Sequence, residues 1–163
     1  MTETINRDPH LATDGSVVGF YEREFFPFSN FSSFQVQWRD ERWATSEHAY
    51  QAAHFFDTDP TLAERIRLAT SAHEAFVLAK ANADKAPGDW DEQKVGIMAE
   101  IVRAKCMQHE YIRKQLGKTG TLYMVEDSPK DSFWGWGADR QGRNELGKIW
   151  MNLREELRAS GEL

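Results

Sequence analysis

Hydrophobic and polar residues alternate along short stretches of this chain, and such stretches predict β-strands. Residues 34–38 alternate apolar and polar side chains and are followed, after a polar turn, by residues 42–44, so we expect a small hairpin. Residues 17–21 and 121–125 are rich in β-branched and aromatic side chains, which favour strands. With the hairpin, these stretches predict a small sheet made from early and late parts of the chain.

Elsewhere the hydrophobic spacing is helical, and several of these stretches begin at residues that commonly cap helices. Thr45 or Ser46 precedes the first, and Ser71 with Glu74 three residues later forms a predicted capping box. Asp89 is expected to cap the longest helix. The predicted helices cover residues 47–56, 61–69, 72–83, 90–107, 111–116 (ended by Gly117) and 145–158.

These elements predict an α+β fold, predominantly helical, with a small β-sheet. The chain has 163 residues, a length typical of a single domain. Residues 1–16 are polar and show no periodicity, so we expect a flexible tail followed by one domain over residues 17–160.

Composition narrows the possible functions. The net charge of −6 argues against sequence-independent binding to a nucleic-acid backbone, although it leaves room for a local pocket that holds one phosphate. Cys106 is the single cysteine, and the histidines show no metal-binding spacing, so neither a disulfide nor a metal site is expected. From the sequence we expect no cofactor, no signal peptide and no membrane-spanning helix, and we expect the protein in the cytoplasm.

The segment 131–147 places two tryptophans, Trp134 and Trp136, between glycines just before the last predicted helix. Asn144 is a preferred N-cap residue, and free amides where a glycine-rich loop meets a helix N-terminus form a natural anion site. Together with the carboxylate of Asp131, these features point to a nucleotide-like ligand. The alternative is a structural turn that contributes two tryptophans to the core.

The first predicted helix carries polar and aromatic side chains on one face. Glu47, Tyr50, Gln51 and His54 recur at helical spacing, and the helix dipole stabilises a carboxylate in the first turn. This face is a candidate for binding or catalysis. The alternative is that Glu47 is only a favourable first-turn residue.

Three further residues have both a functional and a structural interpretation. Lys105 lies on a helix that is apolar on more than one side, so its ammonium group either points inward to a phosphate or carboxylate or extends to solvent. Trp90 either walls a pocket or fixes its helix to the core. Asn30 either binds a sugar or base edge or satisfies backbone groups in its aromatic loop.

In this order along the chain, these segments resemble the NADAR family of YbiA-like N-glycosidases. The resemblance spans about residues 18–158. What makes it specific is that all of the motifs occur in the family's order, since any single motif would be a weak signal. The matching segments are residues 28–31 (FSNF), residues 43–52 (WATSEHAYQA), Trp90, residues 103–105 (RAK), Asp131, residues 133–135 (FWG), Gly137, Gly142, Asn144 and residues 146–147 (LG).

The resemblance implies cleavage of an N-glycosidic bond between ribose C1 and a nitrogen in an ADP-ribose-like or ribosyl-phosphate compound. Some members are similar to enzymes that act on phosphoribosyl-pyrimidine intermediates of riboflavin synthesis, and others resemble hydrolases that remove ADP-ribose from guanine bases. His54 stands where the family often has lysine, and Trp136 stands where some relatives have a small or acidic residue. The leaving group and the oligomeric state are therefore left open.

N-glycoside cleavage passes through a positively charged, oxocarbenium-like state, which a nearby carboxylate stabilises. We expect Glu47 to be that carboxylate, Asp131 to orient the ribose or share the acid–base work, and Lys105 to bind phosphate or act as a Schiff-base nucleophile. Two non-enzymatic alternatives are a module that binds ADP-ribose or another nucleotide and a helical protein-interaction domain. The residues expected to bind substrate are Asn30, Phe31, Gln51, His54, Trp90, Trp134, Gly135 and Asn144.

Overall fold

The computed structural model describes residues 17–21 and 23–163. The predicted tail, residues 1–16, lies outside the described residues. The chain divides into two compact units, and each is described by itself. The first unit combines the residues up to Ser29 with Glu110–Leu163, and the second is Asn30–His109.

The elements follow closely the order that the sequence predicts, although several boundaries differ. In chain order they are β1 (Val17–Phe20), a 3₁₀ helix (Arg23–Phe28), β2 (Val36–Trp38), β3 (Glu41–Trp43), α1 (Ser46–Ala53), α2 (Pro60–Arg67), α3 (Ala72–Ala81), a short 3₁₀ turn (Ala83–Lys85), α4 (Trp90–Gln108), α5 (Glu110–Lys118), β4 (Tyr123–Glu126) and α6 (Glu145–Ala159). The predicted fold class, mostly helical with a small sheet, is confirmed.

In the first unit, the early and late strands form a two-stranded sheet, which among the described residues shares no ladder hydrogen bonds with the hairpin, so the predicted small sheet is two separate strand pairs. β1 and β4 are parallel, with Val17 opposite Tyr123 and Phe20 opposite Glu126, and α6 packs against β4. On α6, Trp150 is fully buried, lies 4.9 Å from the Phe28 ring between centroids, and donates its indole N–H to the Phe28 carbonyl at 3.1 Å. This packing places the end of the 3₁₀ helix against α6.

In the second unit, the predicted hairpin is confirmed as the antiparallel pair β2 and β3. Its two turn residues, Arg39 and Asp40, have φ values of 49° and 64°. Positive φ at both positions is the geometry of the two-residue turn whose twist matches that of the strands. Behind the hairpin, Trp38, Trp43 and Phe56 pack together with centroids 5.8–6.2 Å apart.

The helices of the second unit pack around α1, every residue of which is buried. α1 contacts α2, α3 and α4. Buried helices of this kind gain their stability from tertiary packing more than from intrinsic propensity. This central position explains why a short helix of eight residues can hold polar side chains in fixed places.

Three predictions about helix ends are corrected. Gly117 does not end α5, because the buried Ile112 and Leu116 hold the helix to Lys118 and the turn with positive φ falls at Gly120. Asp89 does not cap α4 with its side chain, which accepts a hydrogen bond from Gln93 instead. In α3, the Ser71 hydroxyl accepts the amide hydrogen of Glu74, as predicted. The Glu74 carboxylate, however, accepts from the amide of Thr70 at 2.6 Å, whereas in a standard capping box it accepts from the amide of the N-cap residue itself, here Ser71.

Among the residues that the structure describes, no helix combines the length and the apolar character needed to span a membrane.

Candidate active site

The start of α1 is fixed by its N-cap residue and a buried histidine. Thr45 accepts the amide hydrogen of His48 on its hydroxyl oxygen at 3.2 Å, as an N-cap residue does. The His48 ring lies between the Thr45 hydroxyl, at 2.8 Å, and the Ala69 carbonyl, at 3.0 Å. Of the two predicted N-cap residues, Thr45 is therefore the one that caps α1. The His48 ring fixes the first turn through its bonds to Thr45 and to Ala69.

Glu47 lies in this first turn and is 5% exposed. Gln51, one turn later, donates its side-chain amide to Glu47 Oε1 at 2.7 Å, and the Glu47 amide donates to the Asn30 carbonyl at 3.1 Å. The N-terminal end of the helix dipole favours the charged form of a carboxylate placed there. The arrangement can therefore hold a negative charge at a buried and well-defined position.

The segment 30–32 connects this turn to α4. Asn30 is 8% exposed and donates its side-chain amide to Met98 Sδ at 3.4 Å. Ser32 accepts a hydrogen bond from Lys105 Nζ at 2.8 Å. Through these contacts, one short segment touches both the first turn of α1 and two positions on α4.

Lys105 has no exposed surface, so the alternative in which it extends to solvent is wrong. Its ammonium group lies 5.6 Å from the centre of the Phe34 ring, close enough for a cation–π contact. A buried ammonium group needs such partners because of its large cost of desolvation. Ser32 is the residue of this group that the sequence analysis missed, and no pattern in the sequence distinguishes it from its neighbour Ser33.

Aromatic rings surround the end of α1. The His54 ring lies 4.0 Å from the Trp90 ring between centroids, at 32° between their planes, and 5.0 Å from the Tyr50 ring. Tyr50 is also 5.7 Å from Trp90. Burial lowers the pKa of His54 from 6.5 to about 4, against two backbone hydrogen bonds that raise it, and the charge of Lys94 lowers it further. His54 is therefore neutral near pH 7.

Phe31 follows Asn30 in the chain, and its side chain is 41% exposed. Two open clefts lie elsewhere on the second unit, with volumes of about 320 and 470 Å³. Their walls come from the hairpin turn and from α2 in one case, and from α4 in the other, and both include Arg39 and Phe56. Neither cleft is lined by the predicted site residues of this unit.

In the first unit, Asp131 binds its own loop. One carboxylate oxygen accepts the amide hydrogens of Phe133 at 2.9 Å and Trp134 at 2.8 Å. Trp136 is 3% exposed, packs in the core with Val17 and Val125, and donates its indole N–H to Asp127 at 2.8 Å. For Trp136, the core alternative is therefore the correct one.

The prediction that the amides at the start of α6 are free to bind an anion is wrong. The amides of residues 142–146 donate to carbonyls of residues 132–136 at 2.7–3.0 Å, so the loop uses the donors itself. Asn144 has a left-handed backbone with φ of 53° and makes no side-chain cap. Its side chain instead accepts from the Glu126 amide and donates to the Met124 carbonyl, both at 2.9 Å, which ties α6 to β4.

Two glycines of this loop are required by close backbone contacts. A Cβ on Gly135 would lie 2.6 Å from the Glu126 carbonyl oxygen, and one on Gly147 would collide with the Met124 carbonyl oxygen and the Asn144 side chain. The glycines of this segment, which formed part of the predicted anion site, are therefore also explained by the close approach of loop, helix and strand.

The predicted site residues are distributed over both units. Within the second unit, hydrogen bonds and ring contacts connect Glu47 with Gln51 and Asn30, and His54 with Trp90. The first unit contains Asp131, Trp134, Gly135 and Asn144 in the loop before α6 and at its start. In the described part of the chain, no group of three or more His, Cys, Asp or Glu side chains is placed to hold a metal ion.

The chain is similar to known proteins over most of its length. The NADAR domain family matches residues 19–158. An N-glycosidase of Nostoc punctiforme is 44% identical over 132 residues, covering 80% of this chain and 85% of that protein. N-glycosidase YbiA of Escherichia coli is 32% identical over 153 residues, covering 93% of this chain and 94% of that protein.

Two further similarities concern a longer protein and a solved structure. A riboflavin biosynthesis protein of Vibrio vulnificus is 44% identical over 115 residues, which are 71% of this chain but 31% of that protein. The NMR structure of E. coli YbiA superposes with a TM-score of 0.80 at 31% identity, covering 89% of this chain and 86% of the other. The family match and the coverage of these relatives together show that this chain belongs to the NADAR family.

Proposed function

We propose that this protein is an N-glycosidase that hydrolyses the bond between ribose C1 and a nitrogen atom. The observation that carries the proposal is Glu47, a buried carboxylate in the first turn of α1 whose oxygen is held by Gln51 at 2.7 Å. Relatives that cover nearly the whole chain are named N-glycosidases, which supports the same reaction class.

The proposed chemistry follows from the charge that develops during the reaction. As the C1–N bond breaks, positive charge grows on C1 and the ring oxygen, and a carboxylate fixed beside them lowers the energy of that state. Glu47 is proposed to supply this charge and to take a proton from the attacking water. The hydrogen bond from Gln51 restricts the carboxylate to one orientation, so less reorganisation is needed as the reaction proceeds.

The proposed substrates are ribosyl phosphates or ADP-ribosyl compounds. A relative named as a riboflavin biosynthesis protein, 31% of which this chain covers, supports the first class. A pyrimidine-type leaving group is proposed for that class. An ADP-ribosylated guanine base is the alternative leaving group within the same reaction. Lys105 is proposed to contact the phosphate; the competing role for its amine, attack on C1 and formation of a Schiff base with the opened ribose, is tested by borohydride trapping.

The other predicted residues enter the proposal with narrower roles. Asn30, Phe31, Gln51, His54 and Trp90 are proposed to contact the substrate from the second unit. Asp131 accepts hydrogen bonds from two loop amides. Its role beside the ribose stays a prediction, which the variant Asp131→Asn tests. Trp134, Gly135 and Asn144 stay predictions as substrate contacts.

The decisive experiment is incubation of the protein with a panel of N-ribosides and N-ribosyl phosphates, with the products identified by mass spectrometry. Release of a free base together with the intact ribosyl moiety is the expected result. Calorimetry with ADP-ribose runs in parallel. Binding without release from any compound would overturn the enzymatic proposal in favour of the nucleotide-binding module, and neither binding nor release would favour an interaction domain.

A further inference from the structure

His54 closes the C-terminal end of α1, seven residues after Glu47. Seven residues are close to two helical turns, so the two side chains lie on one face with their Cα atoms about 10 Å apart along the axis. If ribose C1 lies beside Glu47 and the attached heterocycle extends along α1 toward its C-terminal end, the heterocycle reaches His54.

The hydrogen bonds of His54 determine its tautomer. Nδ1 lies 3.1 Å from the carbonyl oxygen of Tyr50 and 3.1 Å from that of Gln51. Both partners are acceptors only, so Nδ1 must carry the hydrogen. In the neutral ring, Nε2 is then a hydrogen-bond acceptor, and within residues 17–21 and 23–163 no donor to Nε2 is found.

The direction of this acceptor is also restricted. The bonds at Nδ1 hold one edge of the ring against the helix end, and Trp90 lies against its face at 4.0 Å. The edge-on contact with Tyr50, at 76° between the planes, limits rotation from another side. A ring held at an edge and at a face presents Nε2 in one direction.

We infer that His54 is a specificity-determining residue whose Nε2 accepts a hydrogen bond from an amino group on the leaving base. Bases that bear an amino group at the matching edge are preferred over otherwise identical bases that lack it. The inference rests on the proposed function, because it assumes that the base lies along α1. It assigns His54 no proton transfer: its one N–H is bound to the helix, so another group protonates the leaving nitrogen.

The test uses two pairs of nucleotides that differ by one amino group. Cytidine 5′-monophosphate is compared with its 4-deamino analogue, and adenosine 5′-monophosphate with purine riboside 5′-monophosphate, each by calorimetry. A neutral hydrogen bond corresponds to an affinity ratio of about three- to tenfold. The expected result is such a preference in at least one pair. Equal affinities in both pairs, or no binding of any of the four compounds, would overturn the inference.

Two variants locate the preference at His54. His54→Asn retains a donor to the end of α1 but has no group at the position of Nε2, and His54→Phe retains a ring against Trp90. Both are expected to reduce the affinity ratio to about one while the affinity for the compound without the amino group changes little. His73→Asn changes an exposed histidine on α3 and should leave the ratio unchanged. A ratio that persists in both His54 variants would contradict the inference.

Two readouts separate this inference from a structural role and from the proposed function. Nitrogen-15 spectra of labelled histidine should show the Nδ1–H tautomer in the free protein, and an Nε2–H tautomer would contradict the inference directly. Because the ratio is a binding measurement, it does not depend on turnover. A retained preference without base release would count against the glycosidase proposal alone, and release with no preference would count against this inference alone.

Discussion

The start of α1 and the loop 131–147 both suggest a ligand site from sequence, and the structure gives their polar groups different kinds of partner. In the loop, the Asp131 carboxylate, the Asn144 side chain and the amides of residues 142–146 bind the loop itself or the neighbouring strand. At α1, the Glu47 carboxylate is buried and accepts a hydrogen bond from the side-chain amide of Gln51, one turn later on the same helix. Glycines, aromatics and a helix N-terminus therefore mark an anion site only when their donors are left over after folding.

Glu47→Gln is expected to have the largest effect on activity. The change keeps the shape of the side chain but removes the negative charge proposed to stabilise C1, so base release should fall by about 10²–10³-fold. The measurement is base release under single-turnover conditions, with circular dichroism and thermal unfolding to show that the fold is retained.

Glu74→Gln is the matched control for that variant. Glu74 also lies in the first turn of a helix of the same unit, α3, but its carboxylate is at the surface, where it accepts a hydrogen bond from the Thr70 amide. Its loss should reduce stability slightly and leave turnover unchanged. Near-normal turnover in Glu47→Gln, or an equal loss in both variants, would end the assignment of Glu47.

Gly147→Ala is expected to have the largest effect on stability. The added Cβ would collide with the Met124 carbonyl, so α6 and β4 would have to separate, at a cost of about 3 kcal/mol in the free energy of unfolding. Gly96→Ala is the control, because Gly96 lies in α4 with no atom near its Cβ position, and there the change should stabilise by about 0.5–1 kcal/mol. Urea unfolding of both variants measures the difference, and equal effects would show that α6 and β4 are not closely packed at Gly147.

The sequence predicted the features that depend on local patterns. The hairpin before α1, the cap at Ser71 and the strand character of residues near 17–20 and 123–125 all follow from composition and spacing over a few residues. Family membership, too, follows from an ordered set of short motifs. The N-glycosyl hydrolase class that the resemblance implied agrees with the names of relatives that cover most of the chain.

The features that the sequence did not predict depend on contacts between distant residues. Lys105 is buried, and its ammonium group donates to Ser32, a residue 73 positions away that no local pattern identifies. Asn144 follows the statistics of an N-cap but reaches β4 instead, since its left-handed backbone directs the side chain away from the helix amides. Whether the amides of residues 142–146 are free or hydrogen-bonded likewise depends on which carbonyls the folded loop brings next to them, and the spacing of residue types does not predict this.

The pH dependence of stability should contain a contribution from His54. The pKa of this residue is lowered from 6.5 to about 4, so between these values the unfolded chain binds a proton that the folded protein does not. Stability from this group is complete above pH 6.5 and is lost as the pH falls toward 4, by about 2 kcal/mol for a partly exposed ring. Between pH 7 and pH 4.5, the free energy of unfolding, measured in urea, should therefore fall less in His54→Asn than in the unchanged protein. An identical fall would contradict the lowered pKa of His54.

Asp131→Asn tests the comparison between the two regions most directly, although its expected effect is the smallest. A neutral amide oxygen accepts the amides of Phe133 and Trp134 less strongly than a carboxylate does, so the free energy of unfolding should fall by about 1 kcal/mol. If the carboxylate serves mainly the loop, base release per folded molecule should fall less than tenfold, far less than in Glu47→Gln. The opposite pattern, unchanged unfolding with a loss of turnover as large as that of Glu47→Gln, would assign Asp131 to the reaction. It would then show that a carboxylate can satisfy two loop amides and still act on a substrate, since each of its oxygens has more than one acceptor position.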